Sequence, residues 1–182
     1  NGPIVLSSPA MGPNQRYPWA HCDAPVYQDS YILYLTGMNQ YPLRIVLDPT
    51  TGHHHIFLPE FDAKRVFWEG HSIASNHAES ESFLRAAGFT HIHSIKAFPA
   101  FIGALIPQQP NWHLLIHEKG RKRLKDDALT LLNSIRRRST KAPKITNISP
   151  LSWHQRACHD RSSLAAFKTG IEKTARAYQQ TL

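Results

Sequence analysis

With 182 residues, 41% of them hydrophobic and 19% charged, the chain can build one sizeable core or two small ones, and its composition excludes a collagenous or wholly disordered polypeptide. Its apolar runs fall far short of the roughly 20 residues a membrane span needs, and its two cysteines, Cys22 and Cys158, lack CxxC spacing; they exclude a disulfide framework and read as thiols of a reducing, cytoplasmic compartment. The formal net charge of +8 invites a polyanionic partner, but residues 119–144 alone hold ten bases against two acids, so the rest of the chain is neutral overall.

In chain order, Ile4–Ser7 reads as a first short strand, and no basic stretch precedes it, so these residues lack a secretory signal pattern. Ile32–Leu35, Leu43–Leu47 and His55–Leu58 follow as strands, each short, apolar and bounded by Pro, Gly, Asn or Asp, with Thr50-Thr51-Gly52 as a hairpin turn. Asn76–Ala87 predicts a helix, with Glu79 and Glu81 early and Gly88 just past its end. Phe98–Ile106 is the next helix, with Pro99 in its first turn, and Trp112–His117 is a further strand. On the helix expected over Asp126–Arg138, Leu129, Leu132 and Ile135 recur at helical spacing, and Arg136, Arg137 and Arg138 suit the negative end of its dipole. Lys141–Pro150 reads as a polar connector. Ser149-Pro150 then opens a short helix carrying Trp153, and Leu164–Leu182 reads as a long amphipathic helix with Gly170 inside it. No stop signal ends that helix, so the natural chain is expected to continue or the helix to pack on another surface. The expected division is a domain over residues 1–148 and a helical linker over 149–182.

Twelve histidines raise the question of metal binding. In the run His53-His54-His55, alternation along a strand lets only His53 and His55 share a face, and His91 with His93 are paired in the same way if extended. His113 and His117 share a strand face, but Glu118 follows the second histidine, so the HExxH zinc pattern is not met. These are read as exposed turn and strand-end histidines titrating near neutrality, and no metal ligand is assigned. Nucleophile and phosphate motifs are also missing: the chain has no GxSxG, no glycine-rich loop followed by Lys and Ser or Thr, and no GxGxxG. No catalytic residue is assigned.

Two segments are more specific. Asp23-Ala-Pro-Val-Tyr-Gln-Asp-Ser30 leads into Tyr31-Ile-Leu-Tyr34-Leu-Thr36-Gly37, then Pro42 and Ile45-Val46-Leu47; Ile56-Phe57-Leu58-Pro59-Glu60-Phe61-Asp62 is followed by Phe67-Trp68-Glu69-Gly70-His71. This order resembles the N-terminal domain of the Xaa-Pro aminopeptidase, prolidase and creatinase metallopeptidase family, with the aminopeptidase P branch nearest. His71 and Phe61 stand where that family has arginine. The resemblance implies an α/β fold, a ribonuclease H-like mixed sheet flanked by helices. It also implies a non-catalytic role beside a catalytic domain downstream, whose two Asp, one His and two Glu hold two divalent metal ions, manganese by analogy.

By the same resemblance, Trp68 is a candidate for lining the substrate pocket or a subunit contact, and Asp23 for pairing with an arginine near the substrate entrance. Tyr34, Thr36, Gly37 and Gly70 are read as structural, an aromatic core strand and two glycine turns. The implied partners are the protein's own catalytic domain, further copies of itself and a peptide with proline at its second position. The alternative is a stand-alone basic module that binds nucleic acid or another polyanion through residues 119–144. That segment lacks interleaved aromatics and any nucleic-acid reader motif.

Overall fold

The computed structural model describes residues 2–7, 30–38, 42–63, 67, 73–76, 78–116 and 122–181. It divides into two compact units, Asn1–Ser149 and Pro150–Leu182. Among the described residues, the first unit contains six strands: β1 (Ile4–Ser7), β2 (Arg44–Asp48), β3 (His53–Leu58), β4 (His91–Ser94), β5 (Asn111–Leu114) and β6 (Lys144–Asn147). They form one mixed sheet in the order β4-β3-β2-β1-β5-β6. The β1–β2 and β2–β3 pairs are antiparallel, and the β3–β4, β1–β5 and β5–β6 pairs are parallel. Each parallel connection therefore crosses a sheet face, which is where the helices lie.

Among the described residues, the α-helices of this unit are α1 (Ser30–Thr36), α2 (Ala78–Ala86), α3 (Phe98–Leu105) and α4 (Lys122–Arg138). One face of the sheet buries Leu6, Ile45, Ile56 and Leu58 with Tyr31 and Ile32 of α1 and Leu84 of α2. The other buries Val5, Val46, Phe57, Trp112 and Leu114 with Ile102 of α3 and Leu132 and Ile135 of α4. Alternation along β1, β2 and β3 supplies both sets, so the sheet has an apolar layer on either side. Burying side chains such as Leu132 and Ile135 contributes about 1.5–3 kcal/mol each.

Local chemistry explains several boundaries. At the hairpin, Asp48 accepts from the Thr50 amide at 2.9 Å and from the Thr51 hydroxyl at 2.9 Å, and Gly52 turns the chain at φ +72°. Helix α2 lies within the range its sequence pattern predicts, and Gly88 follows it at φ +91°. Helix α4 starts earlier than expected, and its buried line is Ala128, Leu132 and Ile135, with Leu129 at the exposed margin. Gly2 is needed for close approach: a Cβ there would fall 2.3 Å from the Asn111 carbonyl oxygen, beside the bond from the His113 amide to the Pro3 carbonyl.

Two expectations are corrected, and one strand not assigned from the sequence is added. Ile32–Leu35 is helical, not a strand: Tyr31 and Ile32 are buried against the sheet while Leu33, Tyr34 and Leu35 face outward, a helical and not an alternating division. Tyr34 is thus no core residue; it is 53% exposed. His91–Ser94 is a strand, paired in parallel with His55–Leu58. Lys144–Asn147, within the expected connector, is edge strand β6, held by parallel pairing to Asn111–Leu114. Its end is fixed by Asn147, whose side-chain oxygen accepts from the amides of Ile116 at 3.2 Å and Ser149 at 3.0 Å.

The second unit is helical. Helix α5 (Ser149–Ala157) begins at the boundary between the units, and α6 runs over Arg161–Thr181. Asp160 caps α6, accepting from the Ser163 amide at 2.7 Å and the Ser162 hydroxyl at 3.0 Å. Leu164, Phe167, Ile171 and Tyr178 are all exposed and recur at helical spacing along α6. No described helix is long and apolar enough to cross a membrane.

Candidate functional site

Among the described residues, a group of chemically capable side chains gathers where β3 meets the edge strand β4. His53, His55 and Phe57 project to one face of β3, and His91 and His93 to the same face of β4, because His55 pairs with His91 and Phe57 with His93. The imidazoles are in contact. The His55 and His91 rings stack with centroids 4.6 Å apart, His53 lies 4.7 Å from His91, and His93 stacks on Phe57 at 4.7 Å. Helix α3 closes one side through Phe101, 4.8 Å from His55 and 5.1 Å from Phe57. One ring nitrogen from each of His53, His55 and His91 lies within 4.8 Å of the others.

The electrostatics follow from this packing. Burial pushes His55 down to about 4, reinforced by the imidazoles of His91, His93 and His53 and opposed by Asp48. Burial, then His91, lowers His93 as well. Burial tends to raise Asp48, but the hydrogen bonds from Thr50 and Thr51 outweigh it and hold its carboxyl below the usual range. The expectation that these histidines titrate near neutrality in exposed turns therefore fails for His55 and His93, which are half-buried between the sheet and α3. His54 points the other way and bonds the Gly88 carbonyl at 3.1 Å through Nδ1. His113 lies on β5, away from the cluster in the strand order; His117 is outside the described residues.

In the sequence, His53 with His55 and His91 with His93 stand as separate pairs, and nothing local joins them into one group. The missing link was β4 itself, since parallel pairing joins positions 36 residues apart. The available signal was the repeated His-x-His alternation in two apolar stretches.

The Tyr-Leu-Thr-Gly segment has a structural explanation. It ends α1: the Thr36 hydroxyl donates to the Ile32 carbonyl at 2.7 Å and accepts from the Met38 amide at 3.1 Å. Gly37 follows at φ +68° with its amide on the Leu33 carbonyl at 2.8 Å, a left-handed helix stop that favours glycine. In the second segment, Glu60 accepts from Lys96 Nζ at 2.6 Å and the Ser94 hydroxyl at 3.0 Å, hydrogen bonds that lower its pKa. Trp68, Gly70 and Asp23 lie outside the described residues. Of the basic segment, Arg136, Arg137, Arg138, Lys141 and Lys144 are described and exposed.

No group of carboxylates with metal-ligand spacing occurs among the described residues. The two Asp, one His and two Glu that the family resemblance implies for a paired metal centre therefore do not fit the residues brought together here, and no chemical step is derived from such a centre.

The family model described as "Aminopeptidase P, N-terminal domain" matches residues 10–115. The fold is similar to that of zinc-substituted aminopeptidase P from Escherichia coli in complex with product, with a TM-score of 0.74 and 19% identity over 97% of this chain and 39% of that one. Aminopeptidase PepP of Pseudomonas aeruginosa gives a TM-score of 0.72 and 20% identity over 97% and 39% of the two chains. Proline aminopeptidase P II of Yersinia pestis gives 0.72 and 18% over 98% and 40%. This chain thus spans about two fifths of the length of these structures. No curated protein sequence matches it. The match over more than half its length shows that the chain belongs to the family of aminopeptidase P N-terminal domains.

Proposed function

We propose that this chain is the non-catalytic N-terminal domain of a proline-specific, metal-dependent aminopeptidase, and that it positions substrate and subunits for a catalytic domain elsewhere in the protein. The observation that carries this reading is coverage: the likeness takes in 97% of this chain but only 39% of the Escherichia coli enzyme. The side chains support it, because a domain whose described polar groups serve turns, helix ends and a histidine stack is suited to binding and orientation, which alone can supply a large part of a rate enhancement. In this reading Trp68 lines the substrate entrance or a subunit contact, and Asp23 pairs with an arginine nearby. The apolar line Leu164, Phe167, Ile171 and Tyr178 on α6 meets the protein's own catalytic domain. Two divalent ions, manganese by family analogy, belong to that domain, and the protein is cytoplasmic and oligomeric.

The test starts with the coding sequence beyond Leu182. It should encode a region with two Asp, one His and two Glu as metal ligands, and the full product should release the first residue of an Xaa-Pro peptide with Mn2+ present. The 182-residue chain alone should not. A stop codon at that point, or peptide hydrolysis by the purified chain alone, would overturn the proposal.

A further inference from the structure

We propose that His53, His55 and His91 form a tri-imidazole site for Zn2+ on the face of β3 and β4 that α3 borders. This departs from the sequence expectation of no metal ligand in the chain, and it does not depend on the peptidase reading. The donor set is three neutral nitrogens with no carboxylate, which selects a borderline first-row cation over Mg2+, Ca2+ or Mn2+. Tetrahedral Zn2+ with Zn–N bonds of about 2.0–2.1 Å holds its nitrogens roughly 3.4 Å apart. Here they already lie within 4.8 Å of one another, and His53 is exposed. The strand pairing of His55 with His91 fixes two of the three positions through the backbone.

A supporting shell is also present. Thr90 Oγ1 donates its single proton to the His54 carbonyl at 3.1 Å and accepts from the His54 amide at 2.8 Å. In that arrangement its remaining lone pair can accept from His91 Nδ1, 2.9 Å away; when His91 donates there, its Nε2 carries a lone pair for metal. His55 Nδ1 lies 3.1 Å from His93 Nε2; when His55 donates there, its own Nε2 is free in the same way. Such hydrogen bonds to the far nitrogen are what orient metal-binding histidines. Three ligands leave a fourth position for water.

The purified 182-residue chain, stripped with chelator and carrying no histidine tag, is titrated with Zn2+ at pH 7.5 in competition with a chromophoric chelator. The expected result is one Zn2+ per chain, with affinity weakened about a hundredfold in His53→Ala and in His91→Gln and unchanged in His154→Ala. Imidazole nitrogen resonances of His53, His55 and His91 should shift on binding, and those of His154 should not. His53 is exposed, so its variant folds even where a His55 variant does not, and circular dichroism checks this. Absence of stoichiometric binding, affinity in the His53 or His91 variant as high as in the unaltered chain, or an equal loss in the His154 variant would each overturn the site as an adventitious association of surface histidines.

Discussion

Gly37→Ala isolates the backbone requirement of the Tyr-Leu-Thr-Gly segment. A Cβ at Gly37 would meet nothing within 4 Å, so the substitution creates no clash and its cost is purely conformational. Holding a non-glycine residue at φ +68° costs roughly 1–2 kcal/mol. The loss of unfolded-chain freedom from Gly to Ala returns about 0.4–1 kcal/mol, so the net destabilisation is about 1 kcal/mol. Urea denaturation followed by tryptophan fluorescence is a suitable assay because Trp112 is fully buried in the same unit. With a denaturant slope of about 2 kcal/mol per molar, the midpoint should fall by about 0.5 M. Gly37→Asn should recover much of this, because asparagine tolerates the left-handed conformation. An unchanged midpoint for alanine, or asparagine as costly as alanine, would refute the helix-stop account.

Trp112→Ala, which empties the centre of the face covered by α3 and α4, should cost about 3–5 kcal/mol by chemical denaturation, far more than Gly37→Ala. The metal-free chain, kept in chelator, should lose stability as pH falls from about 6.5 toward 4, because in that window the unfolded chain holds a proton that His55 in the folded chain refuses. The proton difference sets a ceiling of roughly 3 kcal/mol, and hydration of this half-exposed face reduces it to about 1–2 kcal/mol. His55 faces Asp48, His53, His91 and His93, and His55→Phe should flatten the curve; an equally steep curve in that variant would remove His55 as the cause. Trp68→Ala in the full-length protein should weaken Xaa-Pro peptide turnover or subunit association with metal content intact, and unchanged kinetics and assembly would return Trp68 to a structural role.

What the sequence determined by itself was local. Gly37, Gly52 and Gly88 mark chain reversals because only glycine adopts their positive φ without cost, and that requirement is visible one residue at a time. The Thr50-Thr51-Gly52 turn, Asn76–Ala87 as a helix and the two family segments were legible for the same reason. Tertiary structure decided the rest. The run Ile32-Leu33-Tyr34-Leu35 suits strand and helix alike, and the sheet beneath Tyr31 and Ile32 selected the helix. Lys144–Asn147 carries no strand signal strong enough to outweigh its polar flanks; β5 made it a strand by offering a free edge. The histidine group required both effects at once. Each His-x-His pair is local, but their union depends on β4 pairing in parallel with β3 through a crossover, and the register of that pairing, which sets His55 against His91, is fixed by burying Ile56 and Leu58 on the opposite face.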